Sequence, residues 1–153
     1  MHTEKAHFIE VQLLPLFATL TGNETGKWGK MNAHQTVEHI AQFFAVSNGS
    51  KIMELVTPAE QLPRFIDFLR SEKPFKENTS APMLPEEPMP TEWPTYAAAL
   101  NALDQQIQAF FKLFTTNTEI TTVHPVFGAL DFKDWILLHY KHVTHHARQF
   151  SLL

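Results

Sequence analysis

The sequence predicts an all-α protein, a four-helix bundle with a long proline-rich connection between its second and third helices. Three observations carry this. Segments near residues 2–20, 32–48, 95–116 and 131–150 repeat apolar residues at the three-to-four spacing of a helix. No stretch of any length alternates with period two, as a half-buried strand does. Six prolines lie between Pro74 and Pro94, including the run PMLPEEPMP, which no regular helix accommodates.

The first helix is expected from about His2 to Leu20, with Phe8, Val11, Leu14 and Leu16 apolar and Pro15 kinking or ending it early. Gly22, Gly26 and Gly29 then mark a loop around Trp28. The second helix starts at Asn32, a good N-cap with Gln35 where a capping box needs it, and stops at Asn48-Gly49. Residues Arg64–Arg70 read as a short helix. The proline-rich stretch reads as a loop wrapped over the surface rather than a linker, because the flanking pieces are too small to be separate domains. The third helix, from about Thr95 to Thr116, buries Leu100, Leu103, Ile107, Phe110, Phe111 and Phe114. The fourth is capped by Asp131 and runs through Trp135 to Phe150.

Composition narrows the function. At 153 residues the chain is expected to be one domain, 1–153, with a ring-rich core drawn from thirteen Phe and three Trp. Its formal charge of −4 includes no run of Lys or Arg, which argues against nucleic acid as a partner. There is no cysteine, so a metal site has only His, Asp, Glu and water to draw on. Neither a signal-peptide h-region nor an apolar run of the ~20 residues needed for a membrane span is present, and a cytoplasmic location with no membrane partner is the expectation.

The densest chemistry lies near the C-terminus, where His139, His142, His145 and His146 fall within eight residues. Residues three and four apart share a helix face, so His139, His142 and His146 form one stripe bordering the apolar arc of Ile136, Tyr140, Val143, Ala147 and Phe150. Lys141, Thr144, His145 and Arg148 are expected on the opposite, solvent side. On the second helix His39 borders Thr36, Ile40 and Phe43, whereas His34 lies roughly 140° away from it. Glu38 is off the His39 stripe and is expected to be solvated. His142 and His146 can offer two nitrogens from one helix and His39 a third from another, an open three-histidine site of the kind that binds catalytic zinc. His139 either supports a ligand from behind, is itself a fourth ligand or forms a pocket wall. Gln35, Trp135 and Gln149 are candidate pocket residues. A single histidine beside an apolar face is more often a hydrogen-bonded core residue, but burying three without partners would cost several kcal/mol. His124-Pro125 reads as a loop cap, His2 and His7 as solvated, and the tryptophans as packing residues. No Ser-His-Asp order, P-loop or dinucleotide fingerprint is present.

The stretches Met31-Asn-Ala-His-Gln-Thr-Val-Glu-His39 and His142-Val-Thr-His-His146-Ala-Arg-Gln149 resemble the DinB-like, or YfiT-like, superfamily of proposed metalloenzymes. Trp135, the histidines after it, His124-Pro-Val-Phe-Gly128 and Phe75-Lys-Glu-Asn-Thr-Ser-Ala-Pro82 look like a subgroup catalogued as a domain of unknown function. The resemblance implies an up-down-down-up bundle, often dimeric, with a metal on His39, His142 and His146. The ion it implies is a divalent transition metal such as zinc, nickel, iron or manganese. Relatives implied by the likeness include transferases and isomerases using low-molecular-weight thiols such as bacillithiol or mycothiol, and hydrolases. The expected function is thus activation of water or a thiol toward a small-molecule substrate. The alternative is a non-catalytic metal- or ligand-binding bundle acting as a sensor or stress-linked module. A homodimer is expected from the likeness and the aromatic-rich helices.

Overall fold

In the computed structural model, residues 2–77 and 87–153 are described. The middle of the proline-rich connection, with Pro82 and Pro85, lies outside the described residues. Among those described, the protein is mostly helical and carries a small two-stranded sheet.

The first helical segment is α1 (His2–His7), a π-helical turn (Phe8–Gln12) and α2 (Leu13–Phe17) in unbroken succession. Pro15 has no N–H to offer the carbonyl one turn back, and its ring crowds that carbonyl. The wider π turn, in which Leu13 N–H donates to Phe8 O, takes up the misfit ahead of it, so the helix passes through Pro15. It ends at Phe17, short of the expected Leu20, where the Tyr96 hydroxyl donates to the Phe17 carbonyl at 2.6 Å.

Helix α3 (Ala33–Ser47) begins with the expected capping box: Asn32 Oδ1 accepts from Gln35 N–H at 2.8 Å and Gln35 Oε1 from Asn32 N–H at 2.9 Å. It closes at Asn48, with Gly49 at φ +80° supplying the left-handed turn. Helix α4 (Leu62–Arg70) follows a 3₁₀ turn (Ala59–Gln61), and Arg70 grips Asp134 with two 3.0 Å bonds. Helix α5 (Tyr96–Thr116) is capped by Thr95 Oγ1 and packs along α3 through Ala99, Leu103, Ile107, Phe110 and Phe114.

Strands β1 (Thr122–His124) and β2 (Gly128–Leu130) form an antiparallel hairpin in the register Thr122↔Leu130. This corrects the expectation of no strand: three residues are too few for alternation to be legible. At the turn His124 Nδ1 accepts from Val126 N–H (2.9 Å) and Phe127 N–H (3.2 Å), the loop-cap role foreseen for it.

Helix α6 (Phe132–Gln149), capped by Asp131 through Asp134 N–H, is the best-covered element. Helices α1, α3 and α4 all pack on it. Its expected solvent face is a correction. Lys141 and Thr144 are buried, and His145 is half-buried. The Lys141 ammonium donates to the carbonyls of Ser71 and Lys73 just past α4, and Thr144 Oγ1 to Tyr140 O at 2.7 Å. His145 sits edge-on to Trp28 and Phe75. On that side Lys141 meets loop backbone and His145 the rings of loop residues instead of water, which a helical wheel does not encode. No described helix is long and apolar enough to cross a membrane.

Candidate metal centre

Helix α3 carries His39, and α6 carries His142 and His146 one turn apart. Packing α3 against α6 brings the three imidazoles together. His39 Nε2 lies 2.9 Å from His142 Nε2, and His142 Nε2 lies 3.1 Å from His146 Nε2. One ligand nitrogen from each falls within 4.8 Å of the others, a group able to hold a metal ion. Nitrogens bound tetrahedrally to zinc at ~2.0–2.1 Å would lie about 3.3 Å apart, so the cluster fits with small ring movements. Cysteine being absent, the donors are all imidazole, which suits zinc, nickel, iron and copper alike.

His142 and His146 are 7% and 6% exposed, while His39 is half-buried. Burial is the largest influence on each ring. It lowers His39 to about 4 with help from the His145 charge. It also lowers His146 to about 3, assisted by His39, while the contact with Gln149 pulls the other way. His142 is driven well below 6.5 by burial, then by the neighbouring His146 and His39. Neutral imidazole, the form that ligates, is therefore the form present at pH 7.

The second nitrogens differ. His146 Nδ1 is 2.8 Å from Gln149 Oε1, whereas His142 Nδ1 is buried without a partner. Phe43 packs on the His142 ring at 4.2 Å between centroids and shields it from solvent.

The remaining sequence-predicted residues fall elsewhere. His139 is fully buried and stacked between Phe44 (3.7 Å) and Trp135 (5.2 Å). Its Nε2 lies 2.8 Å from Ser47 Oγ. Ser47 has one hydroxyl proton and donates it to Phe44 O at 2.9 Å, so it accepts from His139 Nε2–H. His139 thus spends that nitrogen on Ser47 and stands outside the three-histidine group. Trp135 is fully buried core, its Nε1 donating to Thr122 Oγ1 at 2.7 Å, rather than a pocket wall. Gln35 is held in its capping box, with Nε2 reaching Met89 O at 3.5 Å. Of the three candidate pocket residues only Gln149 touches the cluster. The groove beside α1, lined by residues including Lys5, His7, Glu72 and Tyr140, does not include His39, His142 or His146.

Sequence reasoning misjudged Glu38. It is 7% exposed, and its carboxylate accepts from Glu92 N–H (2.8 Å) and Trp93 N–H (3.0 Å). His34 Nε2 lies 2.9 Å from it. With the Lys30–Glu87 and Gln35–Met89 contacts, Glu38 straps residues 87–93 onto the first half of α3. The i,i+4 spacing of His34 and Glu38 was the available signal. Glu38→Ala should strand two backbone donors and cost roughly 2–3 kcal/mol. Limited digestion with a glutamate-specific protease should then cut after Glu92; a variant as resistant as the parent would show the strap to be held elsewhere.

Residues 11–152 match the model of a family described as "Protein of unknown function (DUF1569)". No curated protein and no solved structure matches the chain.

Proposed function

We propose that this chain, which belongs to the DUF1569 family, is a metal-dependent enzyme that activates water or a thiol toward a small-molecule substrate. The observation that carries it is the convergence of three neutral, largely buried imidazoles from two helices, His39 being the most exposed of them. A divalent transition ion held there lowers the pKa of a water or thiol that reaches it, giving a nucleophile near neutral pH. His39, His142 and His146 are the ligands in this reading; Phe43 keeps water from the back of the cluster, and the strap at 87–93 borders the α3 side. Hydrolysis and transfer of a low-molecular-weight thiol both use such a nucleophile. The likeness to the DinB or YfiT type belongs to the same proposal, as do the four-helix-bundle description, the single domain 1–153 and the homodimer.

A second reading, a non-catalytic metal holder, draws on the depth of the site: two of its three ligands are almost closed off. Metal analysis of protein purified without a histidine tag tests what the two share. About one equivalent of metal per chain is expected, retained in His145→Ala and lost in His142→Ala and His146→Ala. Failure to take up zinc, nickel, iron or manganese on reconstitution would overturn both. Water exchange at a bound paramagnetic ion separates them, since only the enzyme needs an open position.

A further inference from the structure

Gln149 ends α6 and is 3% exposed. Its Nε2 donates to the Trp28 carbonyl at 2.7 Å, and its Oε1 faces His146 Nδ1 at 2.8 Å. A carbonyl oxygen has no proton to give, so the amide must turn its NH2 toward Trp28 and its oxygen toward His146. An amide oxygen only accepts. His146 Nδ1 therefore carries the proton, and in a neutral ring Nε2 is left as a bare lone pair, the atom that faces His142 at 3.1 Å.

The loop that supplies the carbonyl is shaped for this contact. Lys27 N–H also donates to the Gln149 backbone carbonyl at 2.8 Å, so the loop holds Gln149 by main chain and side chain together. A Cβ on Gly26 would lie 2.6 Å from Gln149 Cγ, and one on Gly29 would lie 2.7 Å from Gln149 Nε2. Gly29 also has φ +79°, where a side chain is strained. Only glycine at both positions lets the backbone close onto the amide.

We propose that the Gly26–Gly29 loop is a positioning element for the histidine cluster: acting through the Trp28 carbonyl and the Gln149 amide, it locks His146 in the Nδ1–H tautomer. Its Nε2 is then permanently presented to a divalent transition cation. His142, whose Nδ1 has no partner, lacks such a lock. Hydrogen bonds of this second-nitrogen kind orient metal-ligating histidines and raise their basicity. The cation's part in this rests on the metal reading above; the tautomer does not.

The test is a long-range ¹H–¹⁵N spectrum of the histidine rings in metal-free protein at pH 7, followed by cobalt(II) titration. His146 is expected as Nδ1–H in the parent. Gln149→Leu, similar in size without an amide, should lose that preference and weaken cobalt binding about 10–100-fold. Gln149→Glu still accepts from Nδ1–H but gives up the bond to the Trp28 carbonyl; it should keep the tautomer, a rescue by the acceptor that a purely packing role would not give. Gly29→Ala, which touches no imidazole, should act in the direction of Gln149→Leu. His146 found as Nε2–H in the parent, or an unchanged tautomer in Gln149→Leu, overturns the proposal. The expected tautomers in a chain that binds no cobalt would leave the positioning role standing and remove the metal reading instead.

Discussion

Acidifying the metal-free chain from pH 7 to pH 4 should unfold it. Three histidines have folded-state pKa values far below 6.5: His39 at about 4, and His124 and His146 at about 3. His139 and His142 are shifted the same way, each mainly by burial. Between the folded and unfolded values the unfolded chain binds more protons. Stability is therefore intact above about pH 6.5 and is lost as pH falls toward the folded values. Each such ring contributes about 1.4 kcal/mol per pH unit, or roughly 3 kcal/mol by pH 4. Three of them rival the typical ~5–15 kcal/mol of a folded domain. A circular-dichroism titration should show a midpoint between about pH 4 and 5.5. His124→Asn keeps an acceptor for the hairpin turn, removes one titrating ring, and should move the midpoint to lower pH. A chain still folded at pH 3.5 would contradict this account.

Trp135→Ala should be the most damaging single core substitution, at about 3–5 kcal/mol. The indole is fully buried, stacked on His139, and edge-on to Phe43 and His124. Its Nε1–H···Thr122 bond continues into Thr122 Oγ1–H···Ser47 O at 2.8 Å, and Ser47 in turn holds His139. Removing the ring opens a cavity and cuts the link between α6, the hairpin and the end of α3. Trp135→Phe keeps most of the packing and should cost only about 1–2 kcal/mol, for the lost hydrogen bond and part of the volume. Urea unfolding of both variants measures this. Equal losses would mean that the polar chain, rather than the volume, carries the effect.

How legible this protein is from its sequence follows the range of the interactions. Asn32 with Gln35, and Asp131, could be assigned because a cap uses residues three apart. The pairing of His142 with His146, and the inward side of His39, followed from helix periodicity. Glu38 was misjudged because its partners are backbone amides 54 and 55 positions away, invisible to any local rule. Lys141 and His145 were misjudged because a wheel ranks faces by polarity and cannot know that loops fold over the polar one. The hairpin escaped because each strand is three residues long. The π turn ahead of Pro15 escaped because such a turn leaves no compositional mark.

The placement of α6 also bears on synthesis. The helix around which α1, α3 and α4 gather comes after all three in chain order. His39 and His142 are 103 residues apart, so at ~5–20 residues per second a ribosome takes about 5–20 s to deliver the second after the first. Throughout that interval the apolar faces of α2, α3 and α5 have no α6 to cover them. The ring-rich interior can close only once α6 has emerged and packed.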